Sequence, residues 1–447
     1  MNDQLRPLDP GPQDKKPTSG SRESKYRLRS RLIHGVGHSA RWDYDHHVVP
    51  PMTVSATFRL DSVQRGAQGF EEFSHEAELD QGHAPIYIYD RLSEPTSAML
   101  EENLAAVEGG EMALCFASGM AAISAAICTL ARAGEHVIAH KVLYGCTYSL
   151  VSNWLPRYRI GVDLVEMTDL EAVRTAVKPE TRVIYFETPV NPDMLLIDIT
   201  AVRALVDEIN RGRDSKSRVR IVVDNTFASP YCQRPLELGA HVVCESLTKS
   251  IGGFGTDIGG AVIGPKSLYH DLIMYRKDFG GSLSPKSAWP PLVNGLPTLA
   301  TRMVNYQKSA LRIAQFLEHH PKVETVRYPG LKSFQQYELA NRQMRDYAGK
   351  FAPGSMMYFL VQDPQQSGKS AERLIDWAAE HAYTLTLAVS LGQIKTLIEA
   401  PYSMTHSSMP DAEKRARGLL PGGIRVSVGL EDWHDIIADL DAALEQV

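Results

Sequence analysis

The chain has 447 residues, of which 43% are hydrophobic and 22% charged, and its formal net charge is −6 at pH 7. A chain of this length and composition can bury a large core and is long enough for two or three domains. The negative net charge argues against a general nucleic-acid or acidic-membrane partner, because such proteins usually carry clustered positive charge. Any phosphate site is therefore expected to depend on a small group of neighbouring residues and not on the net charge of the chain.

The N-terminal residues and the cysteines bear on the compartment. Residues 1–27 are rich in Pro, Gly, Ser, Lys and Asp, which predicts a disordered extension, and they have no apolar stretch of the kind that a secretory signal needs. No later stretch reaches about 18 uninterrupted apolar residues. The cysteines are odd in number and lack CxxC spacing, which is typical of free thiols in a reducing compartment. We therefore predict a cytoplasmic protein without a membrane span.

The next segment, residues 28–82, contains VVPPMTVSATF and a polar stretch, which predicts an extended arm. Short apolar runs then alternate with helical patterns: EHVIAH, GVDLVEM, TRVIYFET, VRIVVDNT and HVVCES are predicted strands. This βαβ rhythm predicts a largely parallel sheet covered on both faces. Ligands bind beyond the carboxyl ends of such strands, which places Thr188–Asn191 and Asp224–Thr226 near a site.

From about residue 296 the pattern changes. A long helix is predicted around LATRMVNYQKSALRIAQFLEHH, followed by the isolated strands GSMMYFLV, TLTLAV and GIRVSVG, which alternate with helices. We expect residues 83–295 to form a large domain and residues 296–447 a smaller α/β domain.

Lys249 lies between an apolar run and a glycine-dense loop in CESLTKSIGGFGTDIGG. In this position a lysine is either a solvated loop residue or a buried amine whose lowered pKa lets it act as a nucleophile, and the segment alone favours neither. Asp224 ends the apolar strand IVVD, where it either caps the next turn or pairs with a cation such as a protonated pyridine nitrogen. The segment Ser118-Gly119-Met120 opens a predicted helix, which is either an ordinary capped helix or an anion site.

Other ligand-binding patterns are absent from the sequence. GGFGTDIGG lacks GxGxxG spacing, which argues against a nicotinamide site. No GxxxxGK[ST], HExxH or paired CxxC motif occurs, and the paired histidines His46, His47, His319 and His320 are more typical of solvated residues than of metal ligands. We therefore predict no metal site.

Nine motifs follow one another from about Arg31 to the C-terminus: YIYDRLSEPT, EGGEMALCFASGMAAI, LYGCTY, VIYFETPVNP, VVDNTFASPYCQRPLELGA, SLTKSIGG, AVSLG, SMTHSS and IRVSVGLED. In this order they resemble the Cys/Met-metabolism family of pyridoxal-phosphate (PLP) enzymes. The resemblance implies an α/β protein with the type I PLP-dependent aminotransferase-like fold, in which a mostly parallel sheet forms the large domain.

The resemblance also implies cofactor contacts. Lys249 would bind PLP covalently and later act as the base, and Asp224 would keep the ring nitrogen charged. The phosphate would bind Ser118, Gly119 and Met120, with help from the hydroxyls of Ser246 and Thr248. Tyr89 and Arg91 match residues that reach this phosphate from a neighbouring subunit, so we expect a homo-oligomer, a tetramer built from dimers that share active sites, with the 28–82 arm contacting the neighbouring subunit.

On the substrate side, the resemblance makes Tyr144 the residue that stacks on the ring and protonates a leaving thiolate, although the sequence alone also allows a core aromatic. Arg425 would bind the substrate carboxylate, with Asn191 and Ser390 nearby. Without the resemblance, Arg425 is typical of an exposed strand arginine.

Three features favour the methionine γ-lyases within the family: Cys146, the adjacent pair Lys277 and Asp278, and Val389, where cystathionine-processing relatives tend to carry a glutamate. We therefore predict α,γ-elimination on L-methionine or a related sulfur amino acid, giving 2-oxobutanoate, ammonia and a thiol.

Three alternatives stay open. One is a cystathionine γ-lyase or γ-synthase. The second is an O-acetylhomoserine sulfhydrylase, which the loop KSIGGFGTDIGG and the stretch DNTFASPY favour. The third is a non-catalytic relative that serves as a scaffold, against which the combination of Lys249, Asp224, Tyr144 and Arg425 argues.

Overall fold

The structure is a computed structural model that describes residues 26–35, 47–73, 85–404, 411–416 and 419–447. All but the last two residues of the predicted extension lie outside this part, as do residues 36–46 and 74–82 of the predicted arm and most of the SMTHSS motif. All five cysteines, Cys115, Cys128, Cys146, Cys232 and Cys244, lie within it and are free thiols, as their number and spacing predicted.

The first sheet in the described residues has the strand order β1-β7-β6-β5-β4-β2-β3. Its strands are β1 (Met112–Phe116), β2 (His136–His140), β3 (Gly161–Val165), β4 (Thr181–Glu187), β5 (Arg220–Asp224), β6 (Val242–Ser246) and β7 (Gly260–Gly264). The pairs that β2 makes with β3 and β4, and the pairs β4 with β5 and β5 with β6, are parallel. The predicted parallel sheet is therefore confirmed.

Strand β7 departs from this pattern because it pairs antiparallel with both β6 and β1. A parallel return needs a crossover connection of a dozen or more residues, usually through a helix that packs on the sheet. The link from β6 to β7 contains only one helical turn, Leu247–Ile251, and a loop. The chain therefore reverses direction here, and it places the lysine loop at the edge where the parallel strands end.

The helices cover the sheets. They are α1 (Leu28–His34), α2 (Val63–Glu72), α3 (Pro95–Glu108), α4 (Gly119–Leu130), α5 (Gly145–Ser149), α6 (Leu170–Ala176), α7 (Ile199–Asn210), α8 (Ser229–Cys232), α9 (Tyr269–Phe279), α10 (Pro285–Pro290), α11 (Leu296–His319), α12 (Tyr337–Gln343), α13 (Lys369–His381), α14 (Asp411–Ala416) and α15 (Trp433–Leu444). Short helical turns span Leu150–Trp154, Leu155–Tyr158, Lys266–Leu268 and Pro291–Gly295. No described helix is long and apolar enough to cross a membrane.

A second sheet follows, with the order β10-β11-β12-β9-β8. Its strands are β8 (Val323–Arg327), β9 (Met356–Val361), β10 (Leu385–Leu387), β11 (Thr396–Glu399) and β12 (Gly423–Ser427). Only β10 and β11 pair in parallel; the other pairs are antiparallel. This smaller sheet with its helices confirms the predicted C-terminal α/β unit, whereas the boundaries at residues 82 and 295 stay predictions.

Helix α11 connects the two sheets. Near its start, Leu299 and Met303 pack in the apolar core around α3 and β7. Near its end, Ile313 and Leu317 pack in the core of the second sheet. A side chain repeats its direction every 3.6 residues along a helix, so one continuous apolar stripe serves both cores. The helix thereby packs against both cores.

The arm before the first sheet is extended over residues 47–60 and is held at several points. The Thr53 amide donates to the Thr96 hydroxyl at 2.9 Å. The Trp289 indole N–H donates to the carbonyl of Pro50, also at 2.9 Å. This part of the arm thus contacts the surface of the large unit, and the predicted contact with another subunit stays a prediction.

Candidate active site

A cavity of about 790 Å³ lies where β4, β5 and β6 end, between the first sheet and the second. Most of the predicted site residues line it: Ser118, Gly119, Met120, Tyr144, Cys146, Asn191, Asp224, Ser246, Thr248, Lys249, Val389, Ser390 and Arg425. We call the side formed by the ends of β5 and β6, the lysine turn and the start of α4 the cofactor wall. The side formed by residues 389–391, Glu399 and Arg425 is the substrate wall.

Lys249 follows β6 in a helical turn, and its own backbone angles, φ −94° and ψ −134°, are not helical. Its ammonium donates to the Ser390 hydroxyl at 2.6 Å. Burial, with the nearby Arg425 guanidinium, lowers the pKa of Lys249 to about 8. The interpretation of Lys249 as a solvated loop residue is therefore wrong. Because an amine of lowered pKa loses its proton more readily, it is suited to attack an aldehyde and to act as a base.

The lysine turn is held by groups that sequence reasoning missed. The buried Arg302 of α11 donates from Nη1 to the carbonyl of Ser250 at 2.7 Å, and from Nη2 to the carbonyl of Ile251 at 3.2 Å. Gly392 has φ +74°, and a Cβ there would lie 2.5 Å from the Ser250 nitrogen. Only glycine allows this approach, so the turn is fixed from two sides.

Asp224 ends β5 beside Glu187, its register partner at the end of β4. The Asp224 carboxylate accepts from the Thr226 amide at 3.0 Å and from the Tyr185 hydroxyl at 3.4 Å. Burial raises the pKa of Asp224. Because these donors are neutral, the carboxylate would be stabilised by a cation in the cavity, as the sequence suggested.

Glu187 was missed from the sequence. It is buried and accepts a hydrogen bond from the Tyr144 amide at 2.7 Å. Burial, with the Asp224 carboxylate beside it, raises its pKa well above the ordinary value. The signal was available, because Glu187 ends the strand next to Asp224 and the carboxyl ends of parallel strands meet at one edge.

The start of α4 forms the anion-binding part of the cofactor wall. The Ser118 hydroxyl caps the helix by accepting from the Ala121 amide at 3.1 Å. A Cβ on Gly119 would lie 3.1 Å from the Ser246 Cβ, so the helix start and the end of β6 are in close contact. The first N–H groups of a helix have no partner within it, and its dipole favours an anion there. This arrangement fits a phosphate.

Arg425 is 5% exposed, so the interpretation as an exposed strand arginine is wrong. Its guanidinium donates to the Asn191 side-chain oxygen at 3.0 Å and to the Ser390 carbonyl at 2.8 Å. Ser390 has φ +93°, a conformation that non-glycine residues hold only when their surroundings enforce it. Lys249 and Arg425 both bind Ser390, which explains how this conformation is kept.

Tyr144, Cys146 and Val389 line the open part of the cavity. The side chain of Val389 is 58% exposed in the single chain, and Tyr144 is 46% exposed. The Cys146 thiol lies 3.5 Å from the Tyr144 hydroxyl. Burial raises the pKa of Tyr144 to about 12, so the phenol keeps its proton at neutral pH. Tyr144 therefore lines a cavity and is not part of the core.

Four predicted residues do not line the cavity of this chain. Tyr89 is exposed, and the guanidinium carbon of Arg91 lies 5.5 Å from its ring centroid. Arg91 donates to the carbonyl of Lys277 at 2.7 Å, and the Lys277 ammonium pairs with Asp278 at 3.1 Å. The structure brings these four together at a separate surface, and their roles stay predictions.

A buried polar network lies behind the cofactor wall. The Asn225 amide group donates to Glu108 at 2.9 Å, to Glu245 at 3.0 Å and to the carbonyl of Gln233 at 2.9 Å. Burial raises the pKa of Glu108 to about 7, and it raises that of Glu245 well above the ordinary value. These contacts fix the backbone that follows Asp224.

The family model of the Cys/Met metabolism PLP-dependent enzymes matches residues 31–445. The chain belongs to this family. It is 40% identical over 399 residues to an L-methionine gamma-lyase of Treponema denticola, covering 89% of this chain and 92% of the relative. It is 36% identical to a cystathionine gamma-lyase of Bacillus subtilis, covering 81% of this chain and 89% of the relative.

A solved structure agrees with the family assignment. The crystal structure of cystathionine gamma-lyase from Lactobacillus plantarum complexed with L-serine superposes with a TM-score of 0.80 at 31% identity, covering 94% of this chain and 99% of that one. The type I PLP-dependent fold is therefore confirmed. The protein is a PLP-dependent lyase of Cys/Met metabolism, as its sequence predicted.

The residues present fit this cofactor. The buried Lys249 amine suits its aldehyde, the Asp224 carboxylate with neutral donors suits its ring nitrogen, and the start of α4 at Gly119 suits its phosphate. All three line one cavity. The roles of the individual residues stay predictions.

Proposed function

We propose that this PLP-dependent lyase catalyses α,γ-elimination on L-methionine or a related sulfur amino acid, releasing 2-oxobutanoate, ammonia and a thiol. The observation that carries the proposal is that an amine of lowered pKa, Lys249, and a protonated phenol, Tyr144, line the same cavity as the buried Arg425. Similarity to L-methionine gamma-lyases supports the choice of substrate.

Bound PLP supplies an electron sink for the negative charge that develops at the substrate α-carbon. The Arg425 guanidinium would bind the substrate carboxylate as a fork, beside Asn191. Lys249 would take the α-proton, which its pKa of about 8 permits near neutral pH. With a pKa raised to about 12, Tyr144 retains a proton that it can donate to the departing thiolate.

The side-chain part of the cavity favours a thioether. Val389 and the Cys146 thiol line the same cavity, where Val389 offers an uncharged surface, and burying a methyl group there is worth about 1 kcal/mol. Selectivity for methionine over larger thioethers is therefore expected to be modest. Cystathionine is the second candidate substrate, because the relatives include a cystathionine gamma-lyase.

The test is to incubate the purified protein with methionine, homocysteine, cystathionine, or O-acetylhomoserine plus sulfide, and to measure oxo acid, ammonia and thiol. We expect 2-oxobutanoate and methanethiol from methionine in equal amounts. A preference for cystathionine selects the second candidate, and a homocysteine product from O-acetylhomoserine selects the sulfhydrylase. If no thioether yields an oxo acid, the proposal is wrong.

The contribution of Tyr144 can be tested separately with Tyr144→Phe, which removes the acid but keeps the ring. We expect kcat on methionine to fall about 10²-fold while the cofactor stays bound. Tyr383→Phe is the matched control, because that tyrosine is almost fully exposed.

We also propose a cytoplasmic homotetramer, built from dimers, in which Tyr89 and Arg91 of one subunit complete the phosphate site of another. The support is that both residues lie outside the cavity of their own chain. Mixing Arg91→Ala and Lys249→Arg subunits tests this, because a mixed dimer would contain one site with both residues intact. Recovered activity supports shared sites, and recovery of none argues against them.

A further inference from the structure

Glu399 is a buried carboxylate that directly faces Arg425. It ends β11 and is the register partner of Arg425 on the antiparallel strand β12. Directly opposite residues in an antiparallel pair project from the same face of the sheet. Both side chains consequently reach the cavity, where the Arg425 Nη1 lies 3.1 Å from the Glu399 Oε1 and Glu399 is 1% exposed.

The stabilisation of Glu399 is electrostatic. Neither of its carboxylate oxygens accepts a hydrogen bond from any described residue. The charges that face it are the Arg425 guanidinium from β12 and the Lys249 ammonium from the turn after β6. The neighbouring strand β10 places only Leu385–Leu387 opposite β11, so it brings no titratable group. Glu399 is thus held by two cations that both have predicted roles with substrate.

Arg425 already has its other contacts filled. The Asn191 side-chain oxygen and the Ser390 carbonyl accept from the guanidinium, and Tyr144 and Lys249 are the other titratable groups that interact with it. Within this set, Glu399 is the anion that balances the positive charge of Arg425. A buried arginine without such a partner would be costly.

The next step rests on the proposed function, in which Arg425 binds the substrate carboxylate. Docking then brings a second carboxylate to one guanidinium in a buried site. Two like charges at such a site cannot both stay ionised without a large penalty, so one of them takes up a proton. Burial raises the pKa of Glu399, whereas an α-carboxyl group is the stronger acid.

We propose that Glu399 occupies the place of the substrate carboxylate and neutralises Arg425 before the amino acid binds. When the amino acid binds, the Arg425 guanidinium pairs with the substrate carboxylate instead, and Glu399 takes up one proton from solvent. The proton adds to the Glu399 carboxylate, and no other bond changes. Glu399 is thereby a positioning residue that sets how tightly amino acids bind and how that binding depends on pH.

The test uses the holoenzyme and two ligands that differ in one group. L-norleucine has a methylene in place of the methionine sulfur and no leaving group, and pentan-1-amine is the same chain without the carboxylate. The dissociation constant of each is measured from the visible absorbance of the cofactor across a pH series. Dividing the norleucine value by the amine value cancels titrations that both ligands share.

In the wild-type protein we expect this ratio to rise with pH, by up to about tenfold per pH unit, above the pKa of Glu399. In Glu399→Gln the ratio becomes flat, and at pH 8 norleucine binds about tenfold more tightly while pentan-1-amine is unaffected. Glu380→Gln, on the exposed side of α13, is the matched control. It should behave as the wild type does.

A ratio that is flat in the wild-type protein would overturn the proposal, and so would weaker or unchanged norleucine binding by Glu399→Gln. If that variant loses its cofactor, the wild-type ratio decides alone. Arg425→Met separates this inference from the proposed function. If Arg425→Met binds norleucine as the wild type does, Arg425 is not the carboxylate anchor and the proposed function loses its substrate site. If norleucine binding is weakened by Arg425→Met but is unchanged by Glu399→Gln, only the inference about Glu399 is wrong.

Discussion

The two walls of the cavity balance charge in different ways. On the cofactor wall, the Asp224 carboxylate has neutral donors, so a cationic ligand would complete it. On the substrate wall, Arg425 already has an anionic partner in Glu399. The first wall is thus suited to keep a cationic ligand, whereas on the second wall Arg425 would exchange Glu399 for the substrate carboxylate at each turnover. Substitutions in the cofactor wall should therefore weaken cofactor binding, whereas substitutions in the substrate wall should weaken substrate binding.

The largest effect is expected from Lys249→Arg on the cofactor wall. Arginine keeps the positive charge but cannot attack an aldehyde or act as a base at neutral pH. We expect loss of covalently held cofactor and a fall in turnover of about 10⁴-fold. Absorbance and an oxo-acid assay measure both, with Lys308→Ala on the exposed face of α11 as the control. Unchanged colour and turnover would refute the assignment of Lys249.

Asp224→Asn is expected to have the next largest effect. The amide keeps the size of the side chain but removes the charge that would stabilise a protonated ring nitrogen, so kcat should fall about 10³-fold. Cofactor affinity should fall as well, which dialysis followed by absorbance measures. Asp376→Asn, an exposed change on α13, serves as the control. If Asp224→Asn keeps full activity, the cofactor wall does not need its charge.

A change at Arg425 tests the substrate wall. Arg425→Met should retain the cofactor and its colour but lower kcat/KM for methionine about 10²-fold, mainly through KM, because the carboxylate loses its partner. The single variant leaves Glu399 buried without its guanidinium, so Arg425→Met with Glu399→Gln separates lost binding from lost stability. Exposed Arg218→Met is the control. If the double variant loses its cofactor, the substrate wall is also needed to hold the cofactor, and the two walls do not have separate roles.

The smallest effect is expected from Val389→Glu. A carboxylate at this open position could pair with the distal ammonium of cystathionine, and it would disfavour a thioether methyl. We expect the ratio of kcat/KM for cystathionine to that for methionine to rise about tenfold. Val63→Glu, at an exposed position of α2, is the matched control. An unchanged ratio would show that Val389 does not contribute to selectivity.

The walls also differ in how far the sequence predicted them. Asp224 ends a contiguous apolar strand, so the rule for parallel sheets placed it near a site before any contact was known, and the resemblance to a known family assigned Lys249 in the segment after the next strand. Glu399 ends a four-residue strand, and its importance depends on the pairing of β11 with β12. Arg302 is one arginine on a 24-residue helix, and only the tertiary packing directs it to the lysine turn. Register and long-range packing are not encoded in a local pattern, which is why these two were missed.

The network of Glu108, Glu245 and Asn225 has a consequence for how folding of the protein depends on pH. Burial raises the pKa of Glu108 to about 7 from an ordinary value of 4.5, and it raises that of Glu245 too. Between pH 4.5 and about 7 the native chain therefore holds protons that the denatured chain releases, so the contribution of this pair to stability is complete in acid and declines toward neutrality. Refolding in a slightly acidic solution should accordingly be accompanied by uptake of hydrogen ions at these two carboxylates.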